Sequence, residues 1–165
     1  MPAARNEGGT TLVQKGSGVS VQSRTLYGLI YLAMFLSLGH HIDHMIRGNN
    51  VGWPVTAEVN AFTYSLGVYP LILLGLVLYR SNRVGPDYWA ILSGMGAVFV
   101  AWIHFGPAAV EPPAEIINLY EPRIIGWLAF LWLVVFMMVL AVTFLYELRS
   151  VVRSAQGSKR KSERG

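Results

Sequence analysis

The sequence predicts an all-α integral membrane protein, a bundle of four transmembrane helices with both termini in the cytoplasm. Of its 165 residues, 53% are apolar and only 13% are charged, whereas soluble domains carry about 25% charged residues. The apolar residues also form four blocks close to the length of about 20 residues that a helix needs to cross a bilayer. These blocks leave no room for a separate soluble domain, so residues 25–148 are predicted to form one transmembrane domain.

The four predicted spans follow one another along the chain. Residues 1–24 contain no apolar run, and we expect them to form a disordered cytoplasmic tail. In the second span, Pro70 lacks a backbone N–H and predicts a kink in mid-helix. Residues 149–165 are basic and are predicted to form a second disordered tail. The spans themselves are predicted at about residues 26–46, 57–79, 87–105 and 124–146.

The distribution of basic residues predicts the orientation. Eleven of the 13 Lys and Arg residues lie in the two tails and between the second and third spans, all on one side of an even-numbered bundle. Only Arg47 and Arg123 fall on the other side. Because cytoplasmic segments are enriched in Lys and Arg, we expect cytoplasmic termini in a plasma (inner) membrane. The net charge of +4 is therefore attributed to topology and to contact with anionic lipid, not to nucleic-acid binding.

The four histidines are the main candidates for chemistry. The chain has no cysteine, which excludes thiolate metal sites, iron–sulfur clusters and cysteine nucleophiles. His40, His41 and His44 end the first span in the string GHHIDHMIRGNN, and His104 ends the third. All four fall toward the predicted outer side. Ionisable groups at membrane depth rarely face lipid, and His40 and His44 share a helix face because they are four residues apart.

Small residues in the third span predict that His104 points into the bundle. Ser93, Ala97 and Ala101 repeat every four residues, a pattern that lets membrane helices approach closely. His104 follows Ala101 by three residues and lies on the same face. Two helices are therefore predicted to place histidine inward at one level of the membrane.

We interpret this group as a candidate site for a metal ion or for haem, since neutral imidazoles bind zinc, copper and iron. The candidate metal ligands are His40, His44, His104, Asp43 and Glu58. His41 and Arg47 are predicted to hydrogen-bond the ligands, with Arg47 spaced to pair with Asp43. Haem would instead take His40 and His104 as axial ligands from two helices. If the protein binds such a cofactor, we expect its function to be electron transfer.

Two other functions fit the same residues. A structural or accessory subunit would use the polar stripe of the first span, formed by His40, Asp43, His44 and Arg47, to fix helix register or to dock a partner subunit or a second copy. Proton or small-solute transport is disfavoured because the inner half of the bundle has almost no ionisable residue to continue a path. Whether the chain catalyses a reaction is not decided by its sequence.

A stiff acidic segment, EPPAE at residues 111–115, connects the third and fourth spans. We expect a solvated loop there, although the carboxylate of Glu111 or Glu115 can fold back as a ligand.

The string HHIDH is similar in histidine spacing to the histidine boxes of membrane di-iron desaturases and hydroxylases. Those enzymes use more histidines than the four present here. The resemblance therefore implies a di-iron oxygenase only if carboxylates replace histidines as ligands.

Overall fold

The computed structural model describes residues 21–48, 56 and 59–163, and all of the regular structure in these residues is α-helical. The helices are α1 (Val21–Arg47), α2 (Ala61–Ser65), α3 (Val68–Arg80), α4 (Pro86–Phe105), α5 (Pro113–Asn118) and α6 (Arg123–Ser162). Four stretches are long and apolar enough to cross a membrane: Arg24–Arg47, Ala61–Arg80, Pro86–Phe105 and Arg123–Arg160. The prediction of four membrane-length helices is confirmed.

The helices at the two ends of the domain are longer than predicted. Helix α1 already begins at Val21, inside the segment that was expected to be a disordered tail. Helix α6 continues through the basic segment to Ser162, so the prediction of disorder from residue 149 is wrong for these residues. Adding a residue to an existing helix is much easier than nucleating a new one. Lys, Arg, Ser and Gln also have moderate to good helix propensity, and no proline interrupts the segment.

The second span is broken, and the break lies one turn before the proline. Helix α2 ends at Ser65 and α3 begins at Val68, with Gly67 as its N-cap residue. Because Pro70 has no N–H, it cannot donate to the carbonyl of Leu66, which accepts instead from Tyr69 at 3.2 Å. The predicted irregularity is therefore present, and the span consists of two helices.

Helices α1, α4 and α6 form the packed part of the bundle. One buried cluster contains Ala33 and Leu36 of α1 with Phe136 and Leu140 of α6. A second cluster lies toward the other end, at Leu26, Ile30, Ile72 and Trp89. The C-terminal ends of α1 and α4 lie at the same level.

One glycine brings α6 against the turn of α1 that carries the first histidine. The indole Nε1 of Trp132 donates to the carbonyl of Leu36 at 2.8 Å. A Cβ at Gly39 would lie 2.5 Å from the Trp132 ring, so only glycine permits this approach. The contact sets the rotation of α1 immediately before His40.

The connection from α4 to α6 folds back over the bundle. Its backbone N–H groups at Val110 and Glu111 donate to the carbonyl of Ile103, at 3.0 and 3.3 Å. Helix α5 then packs on α6, where a Cβ at Gly126 would collide with the carbonyl of Ile117. The prediction of a solvated loop is thus wrong for the start of this segment, because Glu111 is only 2% exposed.

Candidate metal centre

Three imidazoles meet between α1 and α4, and all three are buried. The Nε2 atom of His40 lies 3.0 Å from Nε2 of His44 and 3.2 Å from Nε2 of His104. One nitrogen from each ring can be chosen so that all three lie within 4.8 Å of one another. The structure therefore brings together the three histidines that the sequence predicts as ligands, from two separate helices.

Hydrogen bonds behind two of the rings determine which nitrogen faces the centre. The Nδ1 atom of His104 lies 2.9 Å from the carbonyl oxygen of Glu111. A carbonyl can only accept, so Nδ1 carries the proton and the Nε2 lone pair of the neutral ring points inward. His44 has the same arrangement, with its Nδ1 3.2 Å from the Glu111 carboxylate. Glu111 thus orients two imidazoles, one through its backbone and one through its side chain.

The separation of the nitrogens matches the geometry of a metal site. Ligand nitrogens 2.0–2.1 Å from a tetrahedral zinc ion lie about 3.3 Å from one another. The two separations at His40, 3.0 and 3.2 Å, are close to that value. A histidine that donates its outer N–H to a carboxylate or carbonyl is the usual arrangement for a metal ligand.

Arg47 connects the centre to a buried network of charges. Its guanidinium donates to both carboxylate oxygens of Glu111, at 2.9 and 3.2 Å. It also contacts Asp43 through Nε at 2.9 Å and through Nη2 at 2.8 Å. The Arg47 and Glu111 side chains are 1% and 2% exposed, so the pair is almost completely withdrawn from solvent. Such pairs are retained only when every charge has a partner.

Two ionisable groups of the connecting segment have shifted pKa values. Burial alone would raise the pKa of Glu111, but hydrogen bonds from His44 and Arg47, together with the positive charge of Arg47, lower it below its usual value. Burial, together with the hydrogen bond to Asp43 and the charge of Asp43, raises the pKa of Tyr120 to about 12. Glu111 is therefore a carboxylate that accepts, and Tyr120 is a phenol that donates to Asp43 at 2.5 Å.

The other residues predicted for the site have different positions. Asp43 contacts Arg47 and Tyr120, so its carboxylate is engaged away from the three Nε2 atoms. Its prediction as a ligand is corrected to a partner of Arg47. Arg47 does not contact the histidines directly in these hydrogen bonds. It contacts Glu111, which in turn contacts His44. Glu58, the remaining predicted ligand, lies outside the described residues.

His41 belongs to a separate polar group beside the break in the second span. Its Nδ1 lies 2.8 Å from the carbonyl of Ser37, and its Nε2 lies 2.9 Å from Oγ of Ser65. The hydroxyl of Tyr69 is 3.0 Å from Nδ1. Successive residues of a helix point about 100° apart, so His41 faces α2 and α3 while His40 faces α4. Its predicted role beside the ligands is therefore replaced by a contact between helices.

Sequence analysis names Glu111 only as a carboxylate that can fold back as a ligand, not as the partner of Arg47, and it assigns Tyr120 no part in the site. One signal for Glu111 was available, because Arg47 lies at membrane depth with only one predicted partner and needs more than one acceptor. Nothing in the sequence distinguishes Tyr120 from an aromatic residue at the membrane interface.

A cavity of about 610 Å³ adjoins the three imidazoles. His40, His44, His104 and Glu111 line one part of it, and most of the remaining lining is apolar. The three imidazoles therefore lie at the polar end of a chamber whose wall is otherwise mostly apolar.

Comparison of the chain with protein-family models, with curated proteins and with solved structures gave no match.

Proposed function

We propose that the protein binds one first-row transition metal ion through Nε2 of His40, His44 and His104. The observation that carries this proposal is the convergence of three Nε2 atoms at 3.0 and 3.2 Å, with two of the rings oriented from behind by Glu111. Without an ion, Nε2 of His40 would have to share one proton between the Nε2 atoms of His44 and His104, whereas an ion would accept a lone pair from all three rings. The hydrogen bonds of His44 and His104 leave both inward nitrogens as lone pairs.

The same geometry favours a bare ion over haem. Two axial histidines on opposite faces of a haem iron would place their Nε2 atoms about 4 Å apart, with a porphyrin ring between them. His40 and His104 are closer than that, at 3.2 Å. The Nε2 atom of His44, 3.0 Å from that of His40, lies where the porphyrin would have to pass.

Three protein ligands leave a fourth position on a tetrahedral ion. Structural zinc sites fill all four positions with protein ligands, whereas catalytic sites keep one for water or substrate. Because the histidines line the cavity, the proposed fourth position opens toward it. This arrangement supports Lewis-acid chemistry if the ion is zinc, and electron transfer remains the proposal if the ion is iron or copper.

The test is the metal content of protein purified in detergent, measured by inductively coupled plasma mass spectrometry. We expect about one equivalent of zinc, iron or copper in the wild type, since three converging imidazoles suffice for a stable site. The variant His40→Ala/His44→Ala should retain almost none while keeping its helical circular dichroism. No bound metal in either protein, after ions are supplied during expression, would sink the proposal and favour the structural-subunit alternative.

We further propose that the chain lies in the plasma (inner) membrane with both termini cytoplasmic, which places the metal centre toward the outer leaflet. The support is the concentration of Lys and Arg in the terminal segments and between the second and third spans. A C-terminal reporter enzyme that is active only outside the cytoplasm is expected to be inactive. Strong activity of that fusion would reverse the orientation and move the centre to the inner leaflet.

A further inference from the structure

The cavity beside the three imidazoles has the size of a ligand-binding chamber. Its volume is about 610 Å³, within the range of roughly 300–1,000 Å³ that is typical of small-molecule sites. Residues of α1, of the broken second span, of α4 and of α6 all contribute to its wall. It extends from the metal-binding end, at His104, to the second buried cluster, at Ile72 and Trp89.

The mouth of this chamber lies on the outer surface of the helices. Leu71 of α3, together with Ile91 and Met95 of α4, lines the chamber and is exposed, at 48%, 61% and 69% respectively. All three side chains belong to stretches of membrane-spanning length. In a bilayer, apolar side chains exposed on such helices contact hydrocarbon. The chamber therefore opens sideways, toward lipid.

The middle of the chamber offers little to a polar ligand. Ser93 donates to the carbonyl of Trp89 at 2.6 Å, and Thr143 donates to the carbonyl of Val139 at 2.7 Å. Both hydroxyls are thus committed to their own helices. Strong polar groups are concentrated around the histidines and Glu111, so a ligand that fits must be apolar along its body and polar at one end.

We propose that the chamber binds a bilayer-dissolved amphiphile with a hydrocarbon body and one oxygen-bearing head, and that this head occupies the fourth position on the metal ion. The inference rests on the proposed metal site. The ligand reaches the chamber between α3 and α4, at Leu71 and Met95, without crossing water. Burial of the hydrocarbon body favours binding in the chamber, and coordination of the metal ion restricts the head to groups that carry a ligand oxygen.

A glycine in the wall allows part of the chamber to be filled without changing the three histidines. Gly96 lines the chamber, and a Cβ there would have only the Leu140 methyl groups within 4 Å, at 3.8 and 3.9 Å. The variant Gly96→Phe therefore places a ring in the chamber. Gly28→Phe is the matched control, because Gly28 lies on α1 outside the chamber and a Cβ there has nothing within 4 Å.

The experiment uses the full chain in lipid nanodiscs loaded with Co²⁺, whose visible spectrum changes when an oxygen ligand binds. The probes are decanohydroxamate and acetohydroxamate, which share a metal-binding head and differ in their hydrocarbon chain. We expect Gly96→Phe to weaken decanohydroxamate binding by about tenfold or more, since excluding several methylenes from an apolar pocket has at least that effect. Acetohydroxamate binding by Gly96→Phe, and both probes with Gly28→Phe, should match the wild type.

Comparison of variants removes the trivial effect of partitioning, because decanohydroxamate enters the lipid equally in every sample. Equal weakening by Gly96→Phe and Gly28→Phe, or no weakening by either, would overturn the chamber as the binding site for the hydrocarbon body. Probes that leave the Co²⁺ spectrum unchanged would overturn the open fourth position. Failure of the wild type to bind Co²⁺ at all would instead overturn the metal site, and the inference with it.

Discussion

Replacing Glu111 by alanine is expected to lower the free energy of unfolding by about 3 kcal/mol, because removing one partner leaves a buried charge without compensation. The Arg47 guanidinium, whose side chain is 1% exposed, would keep Asp43 as its one ionic partner among the residues that the structure describes. That remaining pair places the expected loss at the lower end of the usual range for broken buried ion pairs. Unfolding in mixed micelles, followed by circular dichroism, measures the change.

The same substitution is expected to weaken metal binding by about 10–100-fold, the usual effect of removing a group that orients a ligand. The carboxylate of Glu111 lies 3.2 Å from Nδ1 of His44, and its loss removes the contact that orients this nitrogen. Its backbone carbonyl would still hold His104, so binding should be weakened but not abolished. Glu115→Ala is the control, since Glu115 is exposed on the same segment. Equal effects of the two substitutions would refute the role assigned to Glu111.

Replacing His104 by alanine is expected to weaken metal binding by more than 100-fold, since losing a ligand should exceed the 10–100-fold loss seen for groups behind a ligand. Only His40 and His44, both on α1, would remain, and two nitrogens hold a tetrahedral ion poorly. Competition with a chromophoric chelator measures the affinity. Folding is checked by helical circular dichroism, which should be preserved.

His41→Ala is the matched control for this experiment. His41 is as buried as His40 and lies on the same helix, but its contacts are with Ser37, Ser65 and Tyr69. Metal affinity should therefore stay at the wild-type level, while the contact between α1 and the broken second span is weakened. If His41→Ala removed the metal and His104→Ala did not, the assignment of ligands would be wrong.

The sequence predicted the elements that depend on local properties. Apolar blocks of membrane length are visible along the chain, and each corresponds to a helix or to a pair of short helices. The four-residue spacing of His40 and His44 puts them on one face of any helix. The missing N–H of Pro70 likewise predicts an irregular second span wherever that span lies.

The errors in predicted boundaries arose where composition was used in place of helix energetics. The basic segment after Arg149 is too polar for a membrane, but its polarity does not by itself prevent a helix. Helix α6 nevertheless continues to Ser162, because an established helix extends readily through residues of adequate propensity.

The choice between the histidines of the first span was made by the tertiary structure. Spacing alone allows His44 to pair with His40 or with His41, at four or three residues. Helix α6 approaches α1 at Gly39, and this rotates His40 toward α4 and His41 toward the broken span. His104 then joins the first pair and not the second. A helix sequence specifies which residues share a face, but the neighbouring helix decides which face becomes the site.

Four membrane-length helices and an inward cluster of histidine on two of them could be predicted from the sequence, because hydrophobic length and helical period are local properties of the chain. The contact of Glu111 with His44 and Arg47 depends instead on the tertiary structure. The segment that carries Glu111 folds back because Val110 and Glu111 donate to the carbonyl of Ile103 and because α5 packs on α6 at Gly126. Those contacts join residues that no local pattern relates, and they bring the carboxylate to Arg47, 64 positions away in the sequence.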